Sequence, residues 1–302
     1  MSTDPLDLSG LVAVVTGAGS GLGRAEALAL AAAGADVVVN DVTATDVLDE
    51  LPAGRAAFVR GDVGDTAVAR ELVGTAVRRF GGLDIVVNNA GVVRDRMLFS
   101  MSDEEWDTVI RVHLRGHFLL CRDAGAYWRE ASKASGKPVY GRLVNTTSEA
   151  WFLGAVAQPN YAAAKAGITA LTVAAARGLS RYGVRANAIC PRARTAMTEP
   201  VYGPAPADGP DPLGVERVAP LVAYLASPAA ERINGQVFFV HGGLVAVLAP
   251  PTVAARFDAD GAGWTAAGLA ETLGTHFAQH TPEQVFTARD ISALRPAPST
   301  GG

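Results

Sequence analysis

Tyr161 and Lys165 stand four residues apart in the run Tyr161-Ala162-Ala163-Ala164-Lys165. On a helix that spacing puts both side chains on one face, and the small Ala residues leave that face open to a flat ligand. A free phenol has a pKa near 10. To exchange a proton near neutrality it needs a stabilised phenolate, and a neighbouring ammonium such as Lys165 favours that form. Ser148 lies thirteen positions before Tyr161, at the end of the apolar run Arg142–Thr147. A hydroxyl at the end of a parallel strand sits in the crevice where ligands bind. There it can hydrogen-bond a substrate oxygen and stabilise charge on it. A helical Tyr–Lys pair alone is usually structural; its meaning here comes from its combination with two features upstream.

The first is a glycine-rich turn. The apolar run Leu11–Thr16 leads into Gly17-Ala18-Gly19-Ser20-Gly21-Leu22-Gly23, and a helical pattern follows at once. Glycines let the backbone approach a pyrophosphate, and the helix N-terminus offers free N–H groups and its positive dipole end. The second is Asp41, eighteen positions after Gly23, at the end of the next apolar run. A carboxylate there accepts both adenosine ribose hydroxyls and repels a 2′-phosphate. No Lys or Arg lies within Gly17–Gly23 to neutralise one, so NAD is favoured over NADP. Taken singly, a strand–helix turn also favours Gly, and an Asp often starts a turn. Arg24 reads as a solvated or structural helix residue. Together the features describe a site for hydride transfer on a carbinol carbon, with Tyr161 moving the hydroxyl proton. Lys165 would hold the nicotinamide ribose, and the charge of an oxidised nicotinamide would add to its own.

These residues need a scaffold that brings strand ends together. Seven apolar runs read as strands: Leu11–Thr16, Asp36–Asn40, Ala56–Val59, Ile85–Asn88, Arg142–Thr147, Arg185–Ile189 and Gln236–Val240. They lack strict alternation, as strands buried on both faces do. Helical patterns lie between them, at Gly21–Ala33, Asp65–Arg79, Asp103–Glu130, Gln158–Tyr182 and Val215–Ala226. Such alternation predicts a doubly wound, seven-stranded parallel α/β sheet with right-handed crossovers. Gly203–Gly214, rich in Pro, Gly and Asp, reads as a mobile loop. Residues 1–243 form the expected catalytic domain. Residues 244–302 form an extension with one helix, Trp264–Gln279, and a Pro/Ser/Gly-rich end.

The chain has 302 residues, 49% hydrophobic and 19% charged, with a net charge of −4. One large domain plus an extension fits that size, and the basic face that nucleic acid requires is missing. Cys121 and Cys190 both sit in apolar runs. They make neither a disulfide scaffold nor, with a His, a metal site. The first ten residues lack the charged and apolar regions of a secretory signal. No apolar run reaches the roughly 18 residues of a membrane span. A cytoplasmic protein without membrane, nucleic-acid or metal partners is the expectation.

The sequence resembles the short-chain dehydrogenase/reductase family over about residues 8–243. The motifs are Thr16-Gly17-Ala18-Gly19-Ser20-Gly21-Leu22-Gly23, Asn88-Asn89-Ala90-Gly91, and Tyr161 to Lys165 with Ser148. The resemblance implies a Rossmann fold. It also implies that Asp62 and Val63 contact adenine, that Asn89 and Gly91 lie along the cofactor, and that Thr195 lies near the nicotinamide carboxamide. A narrower likeness rests on Val39-Asn40-Asp41, Arg94-Asp95-Arg96 and Arg111-Val112-His113-Leu114-Arg115-Gly116. These look like the (3R)-hydroxyacyl-CoA dehydrogenase unit of peroxisomal multifunctional enzyme type 2 and its stand-alone bacterial relatives. That likeness implies an NAD-linked enzyme of lipid metabolism acting on a 3-hydroxyacyl thioester. The alternative is a 3-oxoacyl-carrier, polyketide or steroid ketoreductase; a non-catalytic dinucleotide-binding protein is a further one. Helices Asp103–Glu130 and Gln158–Tyr182 resemble the family's dimer-forming pair, which implies a homodimer or homotetramer.

Three positions depart from the family pattern. His113 stands where most members have an Asn that holds a helix backbone and a relay water. A neutral imidazole both donates and accepts, so His113 is a candidate catalytic residue; it is equally readable as a packing residue. Pro191-Arg192 replaces Pro-Gly, and His241-Gly242-Gly243 replaces Asp-Gly-Gly. Arg94 and Arg96 read either as solvated charges or as attractors for a CoA phosphate. Trp151 and Phe152 read as a pocket wall or an interface.

Overall fold

Every residue of Val12–Thr16, Ile85–Asn88 and Gly141–Thr146 is buried. Strands covered on both faces require helical layers above and below, and the chain supplies them in turn. In this computed structural model, which describes residues 4–259, 261, 263–282 and 284–287, the strands are β1 (Val12–Thr16), β2 (Asp36–Asp41), β3 (Ala56–Arg60), β4 (Ile85–Asn88), β5 (Gly141–Thr146), β6 (Val184–Arg192), β7 (Val237–His241) and β8 (Leu244–Val247). The sheet order is β3-β2-β1-β4-β5-β6-β7-β8. The first seven strands run parallel; β8 pairs antiparallel with β7. The order reverses between β1 and β4, which opens a crevice at the carboxyl ends of the strands.

The helices are α1 (Gly21–Ala32), α2 (Val47–Glu50), α3 (Thr66–Phe80), α4 (Asp103–Ile110), α5 (Gly116–Ser135), α6 (Ala150–Leu153), α7 (Pro159–Leu179), α8 (Glu199–Tyr202), α9 (Ala219–Ala226) and α10 (Ala266–Phe277). One core packs Leu22 and Leu30 of α1 and Val222 and Leu225 of α9 against one face of the sheet. The other packs Leu72, Leu120, Trp128 and Ala176 from α3, α5 and α7 against the opposite face. Local signals set the helix ends. Asp65 caps α3 by accepting from Ala67 N, and Ser102 and Glu105 form a reciprocal capping box on α4.

The fold class follows the sequence reading, with three differences in detail. The sheet has eight strands rather than seven. Gly242, at φ +56°, turns the chain back after β7, and β8 covers that edge. The helix expected over Asp103–Glu130 is divided by a π-helical turn at Arg111–Arg115. The Gly203–Gly214 loop carries no regular element but is tethered: Arg194 pairs with Asp211 at 2.8 Å and donates to Tyr202 O at 3.0 Å. Beyond β8, α10 matches the expected helix to within two residues at each end and buries none of its residues. The Pro/Ser/Gly-rich end, from residue 288 onward, lies outside the described residues. No helix among the described residues is long and apolar enough to cross a membrane.

Candidate active site

The glycine turn joins β1 to α1 at the switch point. Gly17 has φ +64°, and a Cβ there would lie 2.8 Å from Ala90 Cα, so the turn is closed against the segment after β4. Asn89 locks that contact: its Nδ2 donates to Thr16 O at 3.1 Å and to Gly17 O at 3.2 Å. The backbone of Gly23 packs against Gly17 and Asn89 and leaves no space for a side chain. The hydroxyl of Ser20 makes no capping bond to α1, so the first N–H groups of the helix keep no intrahelical partner and face a cleft of about 400 Å³. Gly17, Ser20, Gly21, Leu22, Asn89, Gly91 and Thr195 all line this cleft.

Asp41 ends β2 at the wall shared by this cleft and a second one of about 270 Å³. One carboxylate oxygen accepts from Gly19 N at 3.0 Å. The other accepts from Thr43 N and Oγ1, both at 3.2 Å. The carboxylate is thereby fixed where the two cavities meet. Asp62 and Val63 line the second cavity with Val42 and Arg111, and Asp62 is ion-paired to Arg111. Arg24 does not line the cleft; it bonds Asp46 at 2.6 Å, Glu50, and Gly19 O at 3.3 Å. An open helix N-terminus, a fixed carboxylate and a side cavity together fit a dinucleotide.

At the far end of the main cleft stand Tyr161, Lys165 and His113. α7 begins at Pro159, a residue pre-set for the first helical turn, and carries Tyr161 and Lys165 on one face. Lys165 is buried and its Nζ donates to Thr146 O at 2.6 Å, below the carboxyl end of β5. Burial pushes its pKa down to about 7. Tyr161 lies with its ring centroid 5.3 Å from that Nζ. Its phenol is pushed up to about 12, chiefly by burial; a hydrogen bond from Ser148 works in the opposite direction. In the protein alone, therefore, desolvation outweighs the lowering by Ser148. Ser148 is within reach of the phenol but does not line either cavity wall. Its Oγ accepts from Ala150 N at 3.2 Å.

His113 sits in the π-helical turn, buried and edge-on to Tyr161 with centroids 5.1 Å apart. Its Nε2 lies 3.0 Å from Val92 N and 2.7 Å from Val92 O. Whichever bond it makes, Nδ1 is buried without a partner among the described residues. A Cβ on Gly91 would strike this ring. Burial and then the charge of Lys165 hold its pKa well below the usual value, so the imidazole is neutral. Sequence reasoning missed His117, one turn further on, which is buried with an unpartnered Nε2 and pushed down to about 3 by burial. It also missed Thr146, Thr147 and Met197 on the cleft wall. Thr146 and Thr147 follow directly from the strand-end position of Ser148, the signal that would have found them.

Comparison with known proteins agrees with this geometry. The family model for short chain dehydrogenase matches residues 11–203. A protein named hydroxyacyl-CoA dehydrogenase ChsB1, from Mycobacterium tuberculosis, is 59% identical over 304 residues, covering 96% of each chain. Peroxisomal multifunctional enzyme type 2 of Mus musculus is 40% identical over 257 residues, which are 81% of this chain and 33% of that one. The crystal structure of a short chain dehydrogenase from Mycobacterium avium superposes with a TM-score of 0.81 at 43% identity, covering 94% of this chain and 99% of that one.

Proposed function

The chain belongs to the short chain dehydrogenase family, and from that premise we propose that it oxidises a 3-hydroxyacyl-CoA, or a similarly bulky thioester, with NAD. The observation that carries this reading is the single cleft running from Asp41 to Tyr161 and Lys165. The relative named as a hydroxyacyl-CoA dehydrogenase supports the substrate class, because its similarity extends through nearly the whole chain. Asp41 supports NAD over NADP. Its carboxylate is held by Gly19 and Thr43, and Arg24, which directly follows the glycine turn, is engaged by Asp46 and Glu50.

Bound in the cleft, a nicotinamide dinucleotide supplies the hydride acceptor for oxidation and the donor for reduction. Ser148 and Tyr161 bracket the substrate oxygen. Tyr161 Oη takes the hydroxyl proton as the carbonyl forms and returns it in the reverse direction. Lys165, fixed by Thr146 O, would hold the cofactor ribose and, when protonated, set its charge beside the Tyr161 ring. Neutral His113 keeps the Tyr161 ring in place from its edge. Trp151 and Phe152 on α6, packed edge to face, would supply the apolar side of an acyl site, and exposed Arg94 would offer a cation for the CoA phosphates. The apolar surfaces of Phe118 on α5 and Val173 on α7, which are partly exposed, support association into a homodimer or homotetramer. The test is turnover of a panel of 3-hydroxyacyl-CoA thioesters, graded in chain and ring size, with NAD and with NADP. Turnover with NAD supports the reading. A strong NADP preference, or inertness toward the whole panel while a simple carrier-bound 3-oxoacyl group is reduced, overturns it.

A further inference from the structure

Ser148 is bracketed by two anchors that both reach β6. On its N-terminal side, Thr147 N donates to Ile189 O at 2.8 Å. On its C-terminal side, Glu149 receives a two-pronged bond from Arg192: Nε to Oε1 at 2.7 Å, and Nη2 to Oε2. Both side chains are about four-fifths buried, at 21% and 19% exposure. The guanidinium also lies over the Phe239 ring, 4.9 Å from its centroid. Phe239 in turn packs with Cys190 and Phe152. Arg192 is one of the departures from the family pattern, and a second, His241, is its register partner on β7.

A bidentate guanidinium–carboxylate pair fixes direction as well as distance, which a lysine does not. Partial burial removes much of the water that would weaken it. The pair spans the gap between the end of β6 and the start of α6, so its orientation sets the backbone leaving Ser148. We infer that the Glu149–Arg192 fork is a positioning clamp: it fixes the hydroxyl of Ser148 toward Tyr161 and holds the adjoining Phe152 packed against Phe239 and Cys190. The clamp rests on the proposed alcohol oxidation for its kinetic effect, but its structural effect stands apart from it.

The experiment uses the full chain with Arg192→Met, Arg192→Lys, Glu149→Gln and the double variant Glu149→Gln/Arg192→Met. Expected are kcat losses of about tenfold to a hundredfold in each neutral single variant, the scale of a reacting group displaced by about 1 Å. NAD binding stays unchanged, Arg192→Lys recovers part of the rate, and the double variant is no worse than the worse single variant, since both remove one interaction. Hydrogen exchange of the amides of residues 149–153 quickens in every neutral variant. Unchanged kcat, strictly additive losses, or unchanged exchange in that segment overturns the clamp. A wild type inert toward the thioester panel refutes the proposed function instead, and the exchange measurement still decides the clamp. Should Arg192→Met fail to fold, Glu149→Gln alone carries both readouts.

Discussion

Glu26 faces inward from α1 among Leu22, Ala27 and Leu30, with no exposed surface. Both carboxyl oxygens lack a hydrogen-bond partner among the described residues. Burial pushes its pKa from 4.5 to about 8. The folded state therefore holds a proton that the unfolded state releases more readily. The stability attached to this proton is complete below pH 4.5. It declines by about 1.4 kcal/mol per pH unit as pH rises and levels off once pH passes the folded value of about 8. The accumulated loss is on the order of 5 kcal/mol, of which about 3 kcal/mol is already present at pH 7. Glu26→Gln keeps the shape and removes the titration. Urea unfolding without cofactor, at fixed protein concentration, is expected to give nearly equal stabilities for wild type and variant at about pH 5. At about pH 8.5 the variant should be more stable by about 3–5 kcal/mol. A difference independent of pH, or wild type and variant alike at high pH, refutes the reasoning.

Asp41→Asn removes the charge that opposes a 2′-phosphate. NAD affinity should fall by about tenfold, the scale of a lost charged hydrogen bond, while NADP affinity rises; isothermal titration of both cofactors checks it, and an unaltered preference counts against the assignment. Gly91→Ala drives a methyl into His113. It should cost about 1–3 kcal/mol of stability together with part of kcat, read from thermal unfolding and turnover; a variant matching wild type in both means the ring is free to move. The pH dependence has a definite sign. Burial keeps Tyr161 protonated through neutrality, so between about pH 6 and 9 kcat/KM for alcohol oxidation should rise with pH while that for ketone reduction stays level; an oxidation profile flat over that range contradicts the proton's assignment to this phenol.

Much of the site was legible because its logic is local. Four-residue spacing fixed the shared face of Tyr161 and Lys165, and a strand-end position fixed Ser148 near the crevice. What escaped the reading depended on packing. Continuous helical periodicity from Asp103 to Glu130 hides the π-helical turn at Arg111–Arg115, because one extra residue per turn leaves little trace in an apolar pattern. β8 did leave a trace: Gly242-Gly243 ahead of a short apolar run is a hairpin signal. It was obscured by the shortness of Leu244–Val247 and its half-exposed position at the sheet edge. Glu26 sits one turn from Leu22 and from Leu30, a spacing that shares their face, but only the packed α1 shows that it is buried with no partner among the described residues. The Glu149–Arg192 pair joins residues 43 apart, a distance that single-sequence reasoning does not cross. The raised pKa of Tyr161 likewise reflects burial, which the residue types alone leave undefined.

The most direct test of the central claim is NADH formation from a 3-hydroxyacyl-CoA by wild type and Tyr161→Phe, with NAD titrated against each protein. Expected are steady turnover by the wild type, a loss of at least about a hundredfold in kcat for the variant, and the same NAD affinity in both. Turnover by Tyr161→Phe at the wild-type rate would contradict that claim.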